Sequence, residues 1–199
     1  MKTGFCTNYS DVIDQAITYI TTLFTANSDG HDAAHSLRVY RNAMRIAEAE
    51  SGCDPGVVAL AALLHDVDDH KLFMTENNEN ARRFLASHGI DEKTSDRICR
   101  AINSVSFSQN AGRTPDTLEG QIVQDADRLD AMGAIGIART FAYGGSHGRP
   151  LEDSVQHFYD KLLRLKDLMN TEIGRAMAAE RHAFLESFLD EYARETGDL

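Results

Sequence analysis

The sequence predicts an all-α protein, a single-domain helical bundle that spans residues 1–199. Apolar residues recur at helical spacing along most of the chain, and the strict alternation typical of strands is nearly absent. The chain has only three prolines, and each lies where one predicted helix gives way to the next. A chain of 199 residues, of which 42% are hydrophobic, is long enough to bury a core.

The first predicted helices lead to an unusually apolar one. One helix begins near Asp11, and a second runs from about Asp32 to Ser51. Asp54 is placed to cap a third helix, whose first turn contains Pro55. The run from Val57 to Leu64 is apolar nearly all round, whereas a surface helix keeps a polar face. We therefore predict that this helix is central and the most buried in the bundle.

The rest of the chain continues the helical pattern. Helices are predicted over residues 76–88, 91–104 and 118–142, followed by two more that end near residues 170 and 194. A polar, glycine-rich segment at residues 143–150 is predicted to end the third of these helices. No internal repeat and no linker interrupts the series, which is consistent with one bundle.

The charge of the chain bears on its partners. A formal net charge of −11 argues against a nucleic-acid polymer, because phosphate backbones bind to basic stripes that this sequence lacks. The charge does not argue against a small phosphorylated molecule, since a bound cation and a few local bases reverse the field inside a pocket. A small phosphorylated substrate therefore remains compatible with the composition.

Cysteine usage and hydropathy indicate the compartment. The three cysteines are odd in number and far apart, so neither a disulfide framework nor a thiolate zinc site is predicted, and a cytoplasmic location is expected. The N-terminus has no apolar run of signal-peptide length. No stretch approaches the roughly 20 apolar residues of a membrane span, so no membrane partner is expected.

A His-Asp pair follows the most apolar helix. His65 and Asp66 come directly after Leu64. Burying polar groups at the end of so apolar a helix costs free energy unless something compensates them. A divalent metal ion is one compensator, because it binds a neutral imidazole and a carboxylate. Hydrogen bonds to backbone carbonyls at the helix end are the alternative.

Two more regions place polar residues among apolar neighbours. His35, near the start of the second helix, is predicted to be at least half buried, either as a core histidine or as a ligand. Asp127 shares a short, apolar-flanked stretch with Asp125 and Asp130, and solvation alone does not explain three carboxylates there. An amphipathic face with local pairing to Arg128 is the alternative.

The order His35, His65-Asp66, Asp127 resembles the HD superfamily of metal-dependent phosphohydrolases, whose signature is H…HD…D. The resemblance covers about residues 28–150. It includes the local patterns around the signature, at residues 31–39, 61–66 and 125–130, and the segment 141–145, which is similar to a bacterial subgroup of short, single-domain members.

The resemblance implies a metal site, a fold of the HD-domain type and an activity. Carried over residue by residue, it makes His35, His65, Asp66 and Asp127 the ligands of one divalent metal ion. Two imidazoles and two carboxylates suit manganese, nickel, cobalt, iron or magnesium. The implied activity is phosphohydrolysis, in which a metal-activated water attacks phosphorus in line with the leaving oxygen. Members with two metals carry extra histidines that this chain lacks at matching positions, so one ion is expected.

Acid–base and substrate-binding roles are predicted for nearby residues. Asp69 lies three residues after Asp66, as an acidic residue does in related single-metal members, and it is the predicted catalytic acid or base, with Asp68 as the competing candidate. Three basic residues close to the ligands are candidates for binding substrate phosphate, with ordinary surface charges as the alternative. They are Arg38, Lys71 and Arg128.

The leading functional hypothesis is hydrolysis of a phosphoester or phosphoanhydride bond in a nucleotide. A phosphatase acting on a non-nucleotide metabolite is one alternative. A degenerate module that binds metal and nucleotide as a sensor, without turnover, is the other. The presence of all four ligands together with Asp69 favours an enzyme, since a sensor would tolerate loss of the acid–base group.

Overall fold

The computed structural model describes residues 9–25, 32–70, 72–106, 110 and 112–197, and it confirms the all-α class. These residues form nine α-helices, one 3-10 helix and no β-strand. No helix among them is long and apolar enough to cross a membrane. In chain order the elements are α1 (Tyr9–Leu23), α2 (Ala33–Ala47), α3 (Pro55–Leu64), α4 (Glu79–Ser87), α5 (Glu92–Asn103), α6 (Leu118–Asp130), α7 (Gly133–Ser146), α8 (Leu151–Asp160), the 3-10 helix (Leu162–Leu168) and α9 (Glu172–Thr196).

Helix α3 is the centre of the bundle. The Asp54 side chain accepts hydrogen bonds from the backbone N–H groups of the first turn, where Pro55 also lies. Every residue from Gly56 to Leu64 is buried, and α3 packs against α1, α2, α5 and α6. Full burial of one Leu or Val side chain contributes about 1.5–3 kcal/mol, so the apolar run itself favours the central position. The predicted burial of this helix is confirmed.

Helices α2 and α6 pack against each other and against α3, and their caps determine where each helix begins. The Asp32 carboxylate accepts from the backbone N–H of His35 at 2.6 Å, which places His35 in the first turn of α2. Thr117 caps α6 by accepting from the N–H of Gly120 at 3.1 Å. The contact between α2 and α6 brings the first turn of α2 to the last turn of α6.

The predicted helix over residues 118–142 was wrong, because the structure has two helices there. Helix α6 ends at Asp130, and α7 begins at Gly133. Met132 between them has an extended backbone, and Gly133 has a φ of +64°, a conformation that favours glycine. The glycine therefore allows the chain to change direction directly after α6.

The predicted break at residues 143–150 also began too early, since α7 continues to Ser146. Gly144 is buried in this helix, and a Cβ at its position would clash with the Ser154 hydroxyl oxygen of α8. Glycine is thus used here for close packing of α7 on α8 rather than as a stop signal.

The start of the C-terminal helix α9 is hydrogen-bonded to a buried carboxylate of α6. Asp125 accepts hydrogen bonds from the backbone N–H groups of Asn170 and Thr171 and from the Thr171 hydroxyl, at 2.8–3.0 Å. A Cβ at Gly174, in the first turn of α9, would clash with an Asp125 oxygen. Asp125 therefore has a structural role, because its hydrogen bonds hold the start of α9 against α6.

Candidate metal centre

Four side chains with potential metal-ligand atoms converge near the end of α3. The Nε2 atoms of His35 and His65 are 3.2 Å apart. Asp66 Oδ2 lies 3.5 Å from the first of these atoms and 3.3 Å from the second. Asp127 Oδ1 lies 3.4 Å and 4.0 Å from them, respectively. We call these four residues the acceptor cluster. The structure thus brings together all four residues predicted as metal ligands.

Three helix ends position the acceptor cluster. His35 lies in the first turn of α2, His65 is the residue that follows α3, Asp66 comes next, and Asp127 lies in the last turn of α6. Helix α3 ends at Leu64, and the adjacent side chains of His65 and Asp66 converge, with 3.3 Å between His65 Nε2 and Asp66 Oδ2. The Asp127 side chain is 27% exposed, so a molecule in solvent can approach the cluster at this residue.

The hydrogen bonds of the two imidazole rings direct both Nε2 atoms into the cluster. His65 Nδ1 lies 2.9 Å from the Ala62 carbonyl oxygen, which can only accept, so Nδ1 carries a proton. His35 Nδ1 donates in the same way to Asp130 Oδ2, at 2.8 Å. Both Nε2 atoms therefore face the two carboxylates, and each can bind a cation once it has lost its proton. This donor set fits one divalent cation.

The charges within the cluster are strongly coupled. Burial lowers the pKa of His35, but hydrogen bonds to Asp127 and Asp130 outweigh burial and raise that pKa to about 9. Burial raises the pKa of Asp127, and the adjacent His35 reverses the effect, so the pKa is lowered overall. A proton on the imidazoles balances the carboxylates when no cation is bound, and a metal ion that binds must displace it.

Asp130 supports the cluster from the other side of the His35 ring. Its buried carboxylate accepts from Arg38 Nε at 2.7 Å and Nη2 at 3.0 Å, and from Arg139 Nη1 at 2.5 Å. Burial alone would raise the pKa of Asp130, but hydrogen bonds from His35 and Arg38 hold it well below its usual range. A carboxylate in this position fixes the orientation of a metal-binding imidazole and increases its basicity.

Sequence reasoning assigned no role to Asp130 or Arg139. Asp130 had one signal, its place beside Asp127 in a run of three aspartates between apolar residues. Arg139 had none, because it lies 12 residues after the last predicted ligand and its helix was not separated from that of Asp127 in the prediction. Its guanidinium reaches Asp130 only through the packing of α7 against α6.

The two candidate acid–base residues lie in different surroundings. Asp68 accepts from the backbone N–H groups of Asn80 and Ala81, at 2.9 and 3.0 Å, and so it stabilises the start of α4. Asp69 is partly exposed, and its N–H donates to the Asp66 carbonyl oxygen at 3.1 Å. Asp68 therefore serves α4, while Asp69 lies in the turn that begins at the cluster residue Asp66.

The predicted phosphate-binding residues have different surroundings. Arg38 is bonded to Asp130, with a side chain that is 25% exposed. Arg128 is buried, and its Nη1 donates to the Leu168 carbonyl oxygen, so the structure does not bring its guanidinium into the acceptor cluster. Burial lowers the pKa of Arg128. Lys71 lies outside the described residues.

Known proteins share both the sequence pattern and the fold. The HD domain family model matches residues 32–132, which include the whole acceptor cluster. The uncharacterized protein YpgQ of Bacillus subtilis is 40% identical over 184 residues, which cover 88% of this chain and 89% of YpgQ. A crystal structure of YpgQ in complex with ADP has a TM-score of 0.82 at 36% identity, covering 94% of this chain and 96% of that chain. The crystal structure of an HD-superfamily hydrolase from Bacillus thuringiensis has a TM-score of 0.80 at 36% identity, covering 96% of this chain and 100% of that chain.

Proposed function

Because this chain belongs to the HD-domain family of metal-dependent hydrolases, we propose that it hydrolyses a phosphoester or phosphoanhydride bond in a nucleotide. The observation that carries the proposal is that the Nε2 atoms of His35 and His65 lie 3.2 Å apart, with an oxygen of Asp66 and an oxygen of Asp127 each 3.3–4.0 Å from both of them. Two carboxylates grouped with two imidazoles need a shared proton or a cation to balance their charge. The arrangement is therefore suited to binding a metal ion.

His35, His65, Asp66 and Asp127 would hold one divalent ion of manganese, nickel, cobalt, iron or magnesium. When bound, such an ion lowers the pKa of a coordinated water and stabilises charge on a phosphoryl oxygen. The chain contributes rings whose direction is already set by the Ala62 carbonyl and by Asp130. Ligands held in this way do not need to reorganise when the substrate binds.

We assign the proton transfer to Asp69. Asp68 is bonded to the start of α4, whereas Asp69 is partly exposed in the turn that begins at Asp66. As a carboxylate, Asp69 would accept a proton from the attacking water, and in its protonated form it would return one to the leaving oxygen. An acid–base group in this position requires no rearrangement of the ligands.

Basic groups near the cluster would bind the substrate phosphate. Arg139 is one-third exposed, and its Nη1 lies 3.2 Å from His35 Nδ1, because both atoms donate to the same Asp130 oxygen. Arg38 is held by the same carboxylate, and it stays a candidate together with Lys71. Arg128 is left out of the proposal because its guanidinium is bonded elsewhere in the core.

A nucleotide is the proposed substrate class. The support comes from YpgQ, a relative of nearly equal length whose crystal structure contains ADP. The net charge of −11 leaves a nucleic-acid polymer disfavoured. A mononucleotide carries few phosphates, and one cation with a few guanidiniums is enough to neutralise them.

The experiment is a panel of nucleoside mono-, di- and triphosphates, assayed with Mn²⁺, Ni²⁺, Co²⁺, Fe²⁺ and Mg²⁺ for release of phosphate and pyrophosphate. We expect turnover of at least one nucleotide that depends on a divalent ion and is absent from the Asp66→Ala variant. Metal-dependent turnover of sugar phosphates alone would move the substrate to non-nucleotide metabolites. Binding of metal and nucleotide without any turnover would instead indicate a sensor.

A further inference from the structure

A cavity of about 320 Å³ lies between α2, the start of α7, and α9. Its charged lining residues are Arg38, Arg41, Asp130 and Arg181. It adjoins the carboxylate that supports His35, but no member of the acceptor cluster is among its lining residues in the described part of the chain. The cavity is therefore a separate concave site that shares only Asp130 and Arg38 with the support of the metal centre.

The lining of this cavity is basic in a strongly acidic chain. Three guanidiniums and one carboxylate give it a net local charge of +2, whereas the whole chain carries −11. Arg38 is already paired with Asp130 through two hydrogen bonds. The excess positive charge thus belongs to Arg41 and Arg181.

Arg181 is a partly buried cation with neutral partners. Its Nη1 donates to the Leu129 carbonyl oxygen at 2.5 Å, and its Nη2 donates to Asn42 Oδ1 at 2.8 Å. Within the described residues it forms no ion pair, and burial lowers its pKa. Asp130 attracts Arg181 but is already bonded to Arg38 and Arg139, so an anion in the cavity would further compensate the burial of this guanidinium.

Arg41 and the first turn of α7 provide the other donors that line the cavity. Arg41 is exposed, lies three residues after Arg38 on α2, and pairs with no carboxylate among the residues described. The first residues of α7, Gly133 to Ile135, also line the cavity, and Met132 provides no side-chain acceptor for their N–H groups. Guanidinium and backbone N–H groups are the donors that proteins use for oxyanions.

We propose that this cavity binds the phosphate group of a small phosphorylated molecule, at a site that needs no metal ion. Arg41 and Arg181 supply the charge, and the apolar side chains of Met132 and Ile135 line the remainder of the site. The proposal does not depend on phosphohydrolase activity, since the acceptor cluster takes no part in it.

The test is isothermal titration of the full-length protein with pyrophosphate and with inorganic phosphate at low salt, before and after treatment with a chelator. We expect saturable binding that survives the chelator and is retained in the Asp66→Ala variant. Arg41→Gln should weaken it about tenfold or more, as expected for loss of a charge-assisted hydrogen bond. The matched control is Arg113→Gln, which removes an exposed arginine far along the chain from the cavity residues.

Thermal melting checks that the Arg41→Gln protein is folded, and pyrophosphate should raise its melting temperature less than it raises that of the unmodified protein. Absence of binding after the chelator, or loss of binding in Asp66→Ala, would assign the anion to the metal centre and overturn the proposal. Equal weakening by Arg113→Gln would overturn it as well, because the attraction would then be a general effect of charge.

Discussion

Asp125 and Asp127 are two residues apart on α6, yet their surroundings are opposite. About 200° of helical rotation separates them, so they face different neighbours. Asp125 meets donors, the N–H groups of Asn170 and Thr171 and the Thr171 hydroxyl. Asp127 meets other potential ligands, the Nε2 atoms of His35 and His65, with Asp66 Oδ2 close to the same two atoms.

The difference between these two aspartates distinguishes a structural carboxylate from a candidate ligand. A buried carboxylate whose partners are all donors is satisfied, and it fixes the chain segments that donate to it. A carboxylate grouped with imidazole lone pairs and a second carboxylate needs a proton or a cation. The identity of the partners therefore tells these two carboxylates apart, although both lie on the same helix.

The largest expected effect comes from removing a member of the acceptor cluster. Asp66→Ala deletes one of the charges that would hold the ion, so bound metal and hydrolysis should both fall to background. The melting temperature should no longer rise when metal is added, because binding to the folded state is lost. Elemental analysis of protein purified without chelator measures the first effect. Asp68→Asn is the control, since it alters the start of α4 and should keep its metal. Full metal content in Asp66→Ala would refute Asp66 as a ligand.

The second prediction separates catalysis from metal binding. Asp69→Asn keeps the shape of the side chain and should leave metal content near that of the unmodified protein. Turnover should fall by roughly 10²–10⁴, the usual effect of losing a general acid or base. Steady-state kinetics at saturating metal measures it. If this variant turns over at close to the normal rate, Asp69 is only part of the turn after α3.

The third prediction concerns the support of His35 by Asp130. Asp130→Asn removes the negative charge opposite the ring and should weaken metal binding by about 10–100-fold. Competition with a chelating dye measures the dissociation constant. Asp116→Asn is the control, because that carboxylate belongs to an exposed ion pair with Arg100. Equal metal affinities in the two variants would leave Asp130 with a structural role only.

The smallest effect on the metal site is expected for the structural aspartate. Asp125→Asn presents an amide to groups that are themselves donors, so it should lower the free energy of unfolding by about 1–3 kcal/mol. Metal affinity should stay unchanged, because Asp125 lies on the face of α6 that meets the start of α9. Urea unfolding of the metal-loaded protein and dye competition measure both quantities. A loss of metal affinity as large as that in Asp130→Asn would remove the distinction between the two faces.

Local signals in the sequence predicted much of the fold. Asp54, Pro55 and the apolar run to Leu64 specified α3 because capping and the lack of a polar face act within one helix. The same reasoning failed at residues 131–133, since helical periodicity continues across the junction of α6 and α7. The turn there depends on the backbone conformation of Met132 and Gly133.

The arginines show where local reasoning about a site ends. Arg128 was proposed because it adjoins Asp127, but adjacent residues on a helix differ by about 100° in direction, and its guanidinium bonds to Leu168. Arg139 is nine residues beyond Asp130, on another helix, and still contacts that carboxylate. Distance along the chain is thus a poor guide to which cation lies beside the acceptor cluster.

The sequence by itself determined the helical class, the central position of α3 and the set of residues from which the candidate metal site is drawn. The first two properties follow from periodicity and capping, which the order of residues specifies directly, and the set of residues follows from the resemblance to the HD superfamily. The tertiary structure alone decided that Asp125 holds α9, that Asp127 joins the imidazoles and that Asp130 supports His35. Helical rotation gives these three carboxylates different directions, but what each one meets depends on the packing of α2 and α9, whose residues lie tens of positions away in the chain.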